Sequence, residues 1–137
     1  KDYQSAIDDH SQAIELNPED TYGYNSRGYI KNLLKNYQGA IDDHSRAIEI
    51  NPKNAYSYNS RGYSKQDSGD FEGAIDDYTK AIDINGNDTL AFYNRGALKA
   101  KYLRNRKTAC ADFDIAASLG HAGAKKIIDN LDCEEFR

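Results

Sequence analysis

Two Asp-Asp-His clusters, at 8–10 and 42–44, carry the residue types best suited to metal chemistry. Carboxylate and imidazole groups are common metal ligands. Consecutive residues of a helix point about 100° apart, however, so three neighbours cannot converge on one ion. His44 also takes the place that Tyr78 and Phe113 hold in later copies of the same segment. We therefore interpret these histidines as packing residues and predict no metal site.

No set of catalytic residues is recognisable in the chain. It has no phosphate-binding loop, no serine nucleophile motif and no Cys/His spacing typical of zinc, so we expect neither catalytic residues nor a cofactor. The net charge is −4 with both signs interspersed, which does not favour nucleic acid or an anionic membrane. No apolar run reaches the roughly 18–20 residues that span a bilayer. The compartment is not indicated.

Cys110 and Cys133 are the two cysteines of the chain. If two antiparallel helices meet at a turn near Gly120, Cys110 lies about 15 Å from that turn at 1.5 Å per residue. With the same rise per residue, Cys133 would lie about 18–20 Å from the same turn, along the second helix. The two cysteines would then be level, and a disulfide and two buried free thiols remain the alternatives.

Charged residues recur every 34 residues on neighbouring segments, with one extra residue before the last aspartate. The arginines are Arg27, Arg61 and Arg95, and the aspartates are Asp9, Asp43, Asp77 and Asp112. Because a desolvated guanidinium needs a carboxylate, we interpret them as structural ion pairs between helices. The alternative is an anion-binding stripe, which Lys31, Lys65 and Lys99 would extend by one turn.

This spacing belongs to an internal repeat of 34 residues. The segment YQSAIDDHSQAIELNP at 3–18 returns as YQGAIDDHSRAIEINP at 37–52 and as FEGAIDDYTKAIDING at 71–86. Apolar residues in these segments follow helical periodicity. Asn-Pro ends the first two copies, and we expect Asn85-Gly86 to end the third with a left-handed C-cap.

A second motif lies between these copies, as YGYNSRGYIK at 22–31, YSYNSRGYSK at 56–65 and LAFYNRGALK at 90–99. Each unit therefore consists of two helices. Glycine recurs inside each first helix, where it costs about 1 kcal/mol relative to alanine. We infer that the paired helices cross closely at these glycines.

The repeat resembles the tetratricopeptide repeat over about residues 3–119. The unit that begins at Thr21 matches six places of the family motif, with Tyr24, Gly28, Ala40, His44, Ala47 and Pro52. Arginine stands at the seventh position, where the family expects leucine. The resemblance implies an all-α fold, a right-handed superhelical solenoid of antiparallel helix pairs.

The repeats divide a single predicted domain, residues 1–137, into five parts. These are the second helix of a truncated repeat at 3–18, full repeats at 21–54 and 55–88, a repeat with one inserted residue at 89–120, and a C-terminal capping helix at 121–133. We expect further sequence upstream, since the chain opens in mid-repeat. Solenoids need a cap to cover the last apolar face.

In the tetratricopeptide family, one stripe of each first helix faces a concave groove that binds a peptide. The resemblance implies that the groove is lined here by Tyr22, Asn25, Tyr29, Asn32, Tyr56, Asn59, Tyr63, Gln66, Leu90 and Tyr93. Tyrosine offers rigid contact area, and amides pair with a peptide backbone. We therefore expect a protein-interaction scaffold that holds a peptide or a partner protein. Alternatively, some of these tyrosines only cover the seam between helices.

Self-association is a second hypothesis. The helix at 3–16 lacks a partner helix before it, which leaves the apolar side of Ile7, Ala13, Ile14 and Leu16 to be covered. More repeats of a larger multidomain protein, or another copy of the chain, would cover it. In this reading the chain is a self-associating module or a structural spacer.

Overall fold

The computed structural model describes residues 2–136, which form eight α-helices and one 3-10 helix without any strand. The helices are α1 (Tyr3–Leu16), α2 (Thr21–Leu33), α3 (Tyr37–Ile50), α4 (Ala55–Ser68), α5 (Phe71–Ile84), α6 (Thr89–Lys101), α7 (Arg106–Ser118) and α8 (Ala122–Asn130), followed by the 3-10 helix Cys133–Phe136. The predicted all-helical fold of consecutive helix pairs is confirmed.

The helices belong to two compact units. The N-terminal unit runs to Asp77, and the C-terminal unit begins at Tyr78, within α5. In the N-terminal unit α2 packs against α1, α3 and α4, and α3 also packs against α4. In the C-terminal unit α7 packs against α6, α8 and the 3-10 helix. Its core is built from Phe92, Ala109, Phe113, Ala116 and Ile128.

Short polar side chains begin several helices. Asp2, Asn36 and Asn105 each accept a hydrogen bond from the backbone N–H three residues later, which satisfies a donor that has no partner inside the helix. These caps explain why α1, α3 and α7 begin where they do.

The ends of α1, α3 and α5 are alike, which corrects one prediction. The backbone N–H groups of Asn17, Asn51 and Asn85 bond the carbonyls of the residues four places earlier. Gly86 does not have a positive φ, whereas Gly69 at the end of α4 has a φ of 91°. Gly86 therefore replaces the proline of the other copies without forming the left-handed cap that we expected.

The inferred close crossing of paired helices is present at two of the glycines. A Cβ atom on Gly28 would lie 2.8 Å from Cε1 of His44, across the contact of α2 with α3. A Cβ atom on Gly96 would lie 3.1 Å from Cβ of Asp112, across the contact of α6 with α7. Both distances are shorter than carbon atoms tolerate without movement of a neighbour. A side chain at either glycine would push the helices apart.

The C-terminal segment differs from the predicted capping helix at 121–133. Helix α8 ends at Asn130, and Asp132 has a φ of 50°, which turns the chain into the 3-10 helix. Cys133 therefore lies on the 3-10 helix, not on a return helix, and it is joined to Cys110 in a disulfide with Cα atoms 5.6 Å apart. Both cysteines are buried. The disulfide ties the 3-10 helix to α7.

Candidate functional site

Arg27 joins three helices of the N-terminal unit. Its Nε and Nη2 atoms donate to the two carboxylate oxygens of Asp43 on α3, at 2.9 and 2.7 Å. Its Nη1 atom donates to the Ser11 hydroxyl on α1, at 3.0 Å. Lys31 also lies 2.8 Å from the Asp43 carboxylate. The hydrogen bonds to Asp43 raise the pKa of Arg27 above its ordinary value.

The same arrangement occurs twice more. Arg61 bonds Asp77 and Ser45, and Arg95 bonds Asp112 and Thr79. Lys65 and Lys99 join these aspartates at 2.9 and 2.8 Å. Because each carboxylate is already held by two cations, these groups stabilise the fold and do not form an open anion-binding stripe.

Asp9 departs from the predicted set of ion pairs. It occupies the same place in its helix as Asp43, but it is exposed, and no described cation pairs with it. The expected role of Asp9 in an ion pair is corrected accordingly.

His44 is a buried packing residue with a polar partner. Its Nδ1 atom lies 3.0 Å from Oδ1 of Asn25, whose Nδ2 atom donates to the Ser57 hydroxyl at 2.8 Å. Burial lowers the pKa of His44 to about 4, so the ring is neutral near pH 7. Within residues 2–136, no group of three or more His, Cys, Asp or Glu side chains could hold a metal ion.

Four tyrosines of the N-terminal unit form the surface that we call the tyrosine face. Tyr22 and Tyr29 lie on α2 with exposed fractions of 73% and 54%, and Tyr56 and Tyr63 lie on α4 with 59% and 47%. The hydroxyls of these tyrosines make no hydrogen bond to any residue in the range 2–136. His10 meets Tyr22 edge to face, with ring centroids 6.3 Å apart. The other three rings have no aromatic partner in the described chain.

The asparagines expected beside these tyrosines lie elsewhere on α2. At about 100° per residue, Tyr22 and Tyr29 lie within about 20° of each other, whereas Asn25 and Asn32 lie about 60–80° round the helix. That direction faces α4: Asn25 donates to Ser57, and Asn32 donates to Asp67 at 2.8 Å. Both asparagines are buried. The prediction that they offer amides to a ligand is corrected, because helix packing already occupies them.

The corresponding residues of α4 are half-buried. Asn59 and Gln66 both have hydrogen-bonding or other contacts within the fold. The tyrosine face therefore presents aromatic rings and hydroxyls rather than the mixed row of tyrosines and amides that the spacing predicted.

The tyrosine face carries few charges. The cations of α2 and α4 point to the opposite side, where Arg27, Lys31, Arg61 and Lys65 bind aspartates. Leu33, with 45% of its surface exposed, continues the row of Tyr22 and Tyr29 by helical spacing. Sequence reasoning missed Leu33, although its place four residues after Tyr29 was the available signal. Asp67, bound to Asn32, stands at the equivalent place of α4.

In the C-terminal unit the predicted groove residues diverge. Leu90 is exposed, with a fraction of 60%. Tyr93 is half-buried and stacks on His121, with ring centroids 4.0 Å apart, and meets Phe113 edge to face. His121 begins α8 and accepts a hydrogen bond from the Ala124 backbone N–H. Tyr93 therefore holds the N-terminal end of α8 and offers less surface to a ligand than predicted.

No helix in residues 2–136 has both the length and the apolar composition needed to cross a membrane. A comparison with curated proteins finds no match. Among solved structures, the Arabidopsis OM64 TPR domain is 28% identical with a TM-score of 0.77, over 83% of this chain and 95% of that one. MamA 41-end from Desulfovibrio magneticus RS-1 is 21% identical with a TM-score of 0.78, over 86% of this chain and 66% of that one.

A further MamA crystal structure has a TM-score of 0.81 at 16% identity, over 98% of this chain and 85% of that one. At these identities the two MamA structures bear on the fold alone. Family models match directly in sequence: "Tetratricopeptide repeat" over residues 21–54 and "TPR repeat" over residues 62–101. Together with the 34-residue period and the packed helix pairs, these matches make the chain a member of the tetratricopeptide repeat family.

Proposed function

We propose that the tyrosine face binds a segment of a partner protein, so that the chain serves as a protein-interaction scaffold. Repeats of this family bind protein partners in general, and the proposal assigns that role to a particular surface. The observation that carries it is the exposure of four tyrosines in two matched pairs, on helices α2 and α4 that pack against each other.

Exposed tyrosines in this arrangement need a physical reason. Tyrosine is enriched where binding energy concentrates, because a rigid ring covers a large area at a low cost in side-chain entropy. The rigid positions of Tyr22, Tyr29, Tyr56 and Tyr63 on two packed helices also suit a binding surface, since regular elements hold side chains more accurately than loops.

A peptide array probed with the 137-residue chain and with a Tyr29→Ala/Tyr63→Ala variant tests the proposal. We expect the chain to retain a subset of peptides and the double variant to lose them. Tyr102→Ala, which removes an exposed tyrosine outside the tyrosine face, is the matched control and should retain them. Circular dichroism should give the same helical content for all three proteins. If the double variant retains the same peptides equally well, the tyrosine face is not the binding surface.

A second candidate function is self-association through α1. The specific observation is Leu16, which is 84% exposed at the end of α1. Light scattering across a concentration series tests it: a mass that rises with concentration and falls again in a Leu16→Lys variant is the expected result. A constant monomeric mass at high concentration would count against self-association.

A further inference from the structure

The tyrosine face is rich in hydrogen-bond donors and poor in charge. It presents the tyrosine hydroxyls, whereas the amides of Asn25 and Asn32 are held by Ser57 and Asp67. A ligand in a β-like extended conformation exposes both N–H and C=O groups, and side-chain amides are the groups best suited to pair with both. The buried amides cannot do so. The tyrosine hydroxyls can donate to carbonyl oxygens, so the face suits a ligand backbone that presents free carbonyls.

Proline-rich segments have that chemistry. In the polyproline II helix the backbone makes no internal hydrogen bonds, so every carbonyl is available, and proline has no N–H to satisfy. The pyrrolidine ring is flat and apolar enough to lie on an aromatic ring, and aromatic-lined grooves are a recurrent way to bind such segments.

Spacing along α2 and α4 supports the same ligand. Tyr22 and Tyr29 are seven residues apart, which corresponds to about 10 Å along the helix axis at 1.5 Å per residue. Tyr56 and Tyr63 repeat this spacing on α4. One turn of polyproline II advances about 9 Å in three residues. Prolines three residues apart would therefore meet successive tyrosines of one helix.

Charge argues against the other common ligand classes. The tyrosine face has no unpaired cation to hold an acidic peptide or a terminal carboxylate, because the lysines and arginines of α2 and α4 bind Asp43 and Asp77. The carboxylate of Asp67, at the place on α4 equivalent to Leu33, accepts a hydrogen bond from Asn32 and would repel an anion. A ligand without negative charge is therefore favoured.

We propose that the tyrosine face recognises a proline-rich segment in the polyproline II conformation, with prolines spaced three residues apart. This inference rests on the proposed function and names the class of partner. The rings of Tyr22 and Tyr29, or of Tyr56 and Tyr63, stack on successive prolines, and their hydroxyls donate to the carbonyls between them.

Titration calorimetry with three synthetic peptides tests the inference: a ten-residue polyproline, a neutral peptide with proline at every third position, and a peptide of the same composition with irregular proline spacing. We expect the first two to bind and the third to bind at least about fivefold more weakly. Tyr29→Ala and Tyr63→Ala should each weaken binding about tenfold, as expected for a residue that contributes strongly to binding. Tyr102→Ala is the control and should leave the affinity unchanged.

Phenylalanine at the same places separates the two parts of the proposed contact. Tyr29→Phe keeps the ring and removes the hydroxyl, so we expect an intermediate loss of about three- to fivefold. The proline peptides could fail to bind while peptides from the array still bind through Tyr29 and Tyr63. That result would overturn this inference and leave the proposed function intact. Absence of any tyrosine-dependent binding would overturn both. Proline binding that persists in the Tyr29→Ala/Tyr63→Ala variant would place the ligand elsewhere and overturn the inference.

Discussion

The Nδ1 atom of His44 donates a hydrogen bond to the side-chain oxygen of Asn25 across the interface between α3 and α2. The direction follows from the network, because the Asn25 amide nitrogen is already directed at the Ser57 hydroxyl and leaves its oxygen as the acceptor. The network of His44, Asn25 and Ser57 therefore links α3, α2 and α4, and the imidazole in it is neutral. Tyr78 and Phe113, which take the same place in later repeats, are also fully buried.

The neutral state of His44 predicts a pH dependence of stability. Burial lowers its pKa from 6.5 to about 4, so between these values the unfolded chain binds a proton that the folded chain does not. The free energy of unfolding should therefore fall as the pH drops from about 6.5 to 4, by a contribution on the order of 3 kcal/mol. Urea unfolding at a series of pH values measures it.

His44→Phe is the control for this dependence. Carboxylates also titrate in the same range, so the informative quantity is the difference between the two curves. The variant should be less stable at neutral pH by about 1–3 kcal/mol, because Asn25 loses a buried partner. In this variant the part of the pH dependence of the free energy of unfolding that comes from residue 44 should disappear. If the free energies of unfolding of the native chain and the variant change in parallel with pH, the buried, neutral His44 does not cause the pH dependence.

Gly28→Ala should destabilise the N-terminal unit. The new methyl group would lie 2.8 Å from Cε1 of His44, a rigid ring held by Asn25, so the helices must shift. We expect a loss of about 1–3 kcal/mol, the usual cost of overpacking. Thermal unfolding followed by circular dichroism measures it. Gly86→Ala is the control: no atom lies within 4 Å of its added carbon, and its φ is not positive, so it should change stability by less than about 0.5 kcal/mol.

The adjacent residues Asp42 and Asp43 give a matched test of the ion pairs. Asp43 is buried and binds both Arg27 and Lys31, whereas Asp42 is exposed and contacts Gln38. Asp43→Ala should cost about 2–3 kcal/mol, because two partly buried cations lose their carboxylate. Asp42→Ala should cost less than about 0.5 kcal/mol. Denaturant midpoints at low and high salt measure both, and equal costs would mean that the buried pair adds no stability.

Reduction of the disulfide should destabilise the C-terminal unit. The Cys110–Cys133 bond closes a loop with a sequence separation of 23, for which the loss of chain entropy in the unfolded state predicts a stabilisation of about 3 kcal/mol. Hydrogen exchange with and without a reductant should therefore show lost protection first in the 3-10 helix and in α8. A Cys110→Ser/Cys133→Ser variant should not respond to the reductant. Unchanged exchange in the native chain would refute the expected role of the bond.

The sequence alone was sufficient to predict the helices and the aspartates that pair with the arginines. The period of 34 residues located the helices α1 to α7. The offset between Arg27 and Asp43 identified a pair that the fold brings together, because each repeat places the two on facing helices. The close approach at Gly28 followed from glycine inside a helix, where only packing offsets its cost.

Other features depend on neighbours that the spacing does not encode. Asn25 and Tyr29 share one predicted stripe, and only the position of α4 decides that Asn25 is buried and Tyr29 exposed. The C-terminal turn after α8 depends on the positive φ of Asp132, which no repeat signals. Tyr93 follows the stripe in sequence, but His121 begins α8 beside it and covers the ring.

The bond from Arg27 to the Ser11 hydroxyl reaches back into the preceding repeat, while the same side chain holds Asp43 in its own. Such a contact transmits stability from one neighbour to the next, as in a linear array of coupled elements. Fraying of α1 would remove a partner from Arg27 and so loosen the following helix pair. Unfolding that starts at α1 would then propagate stepwise to the next helix pair, and the steepness of the transition would measure the strength of the coupling.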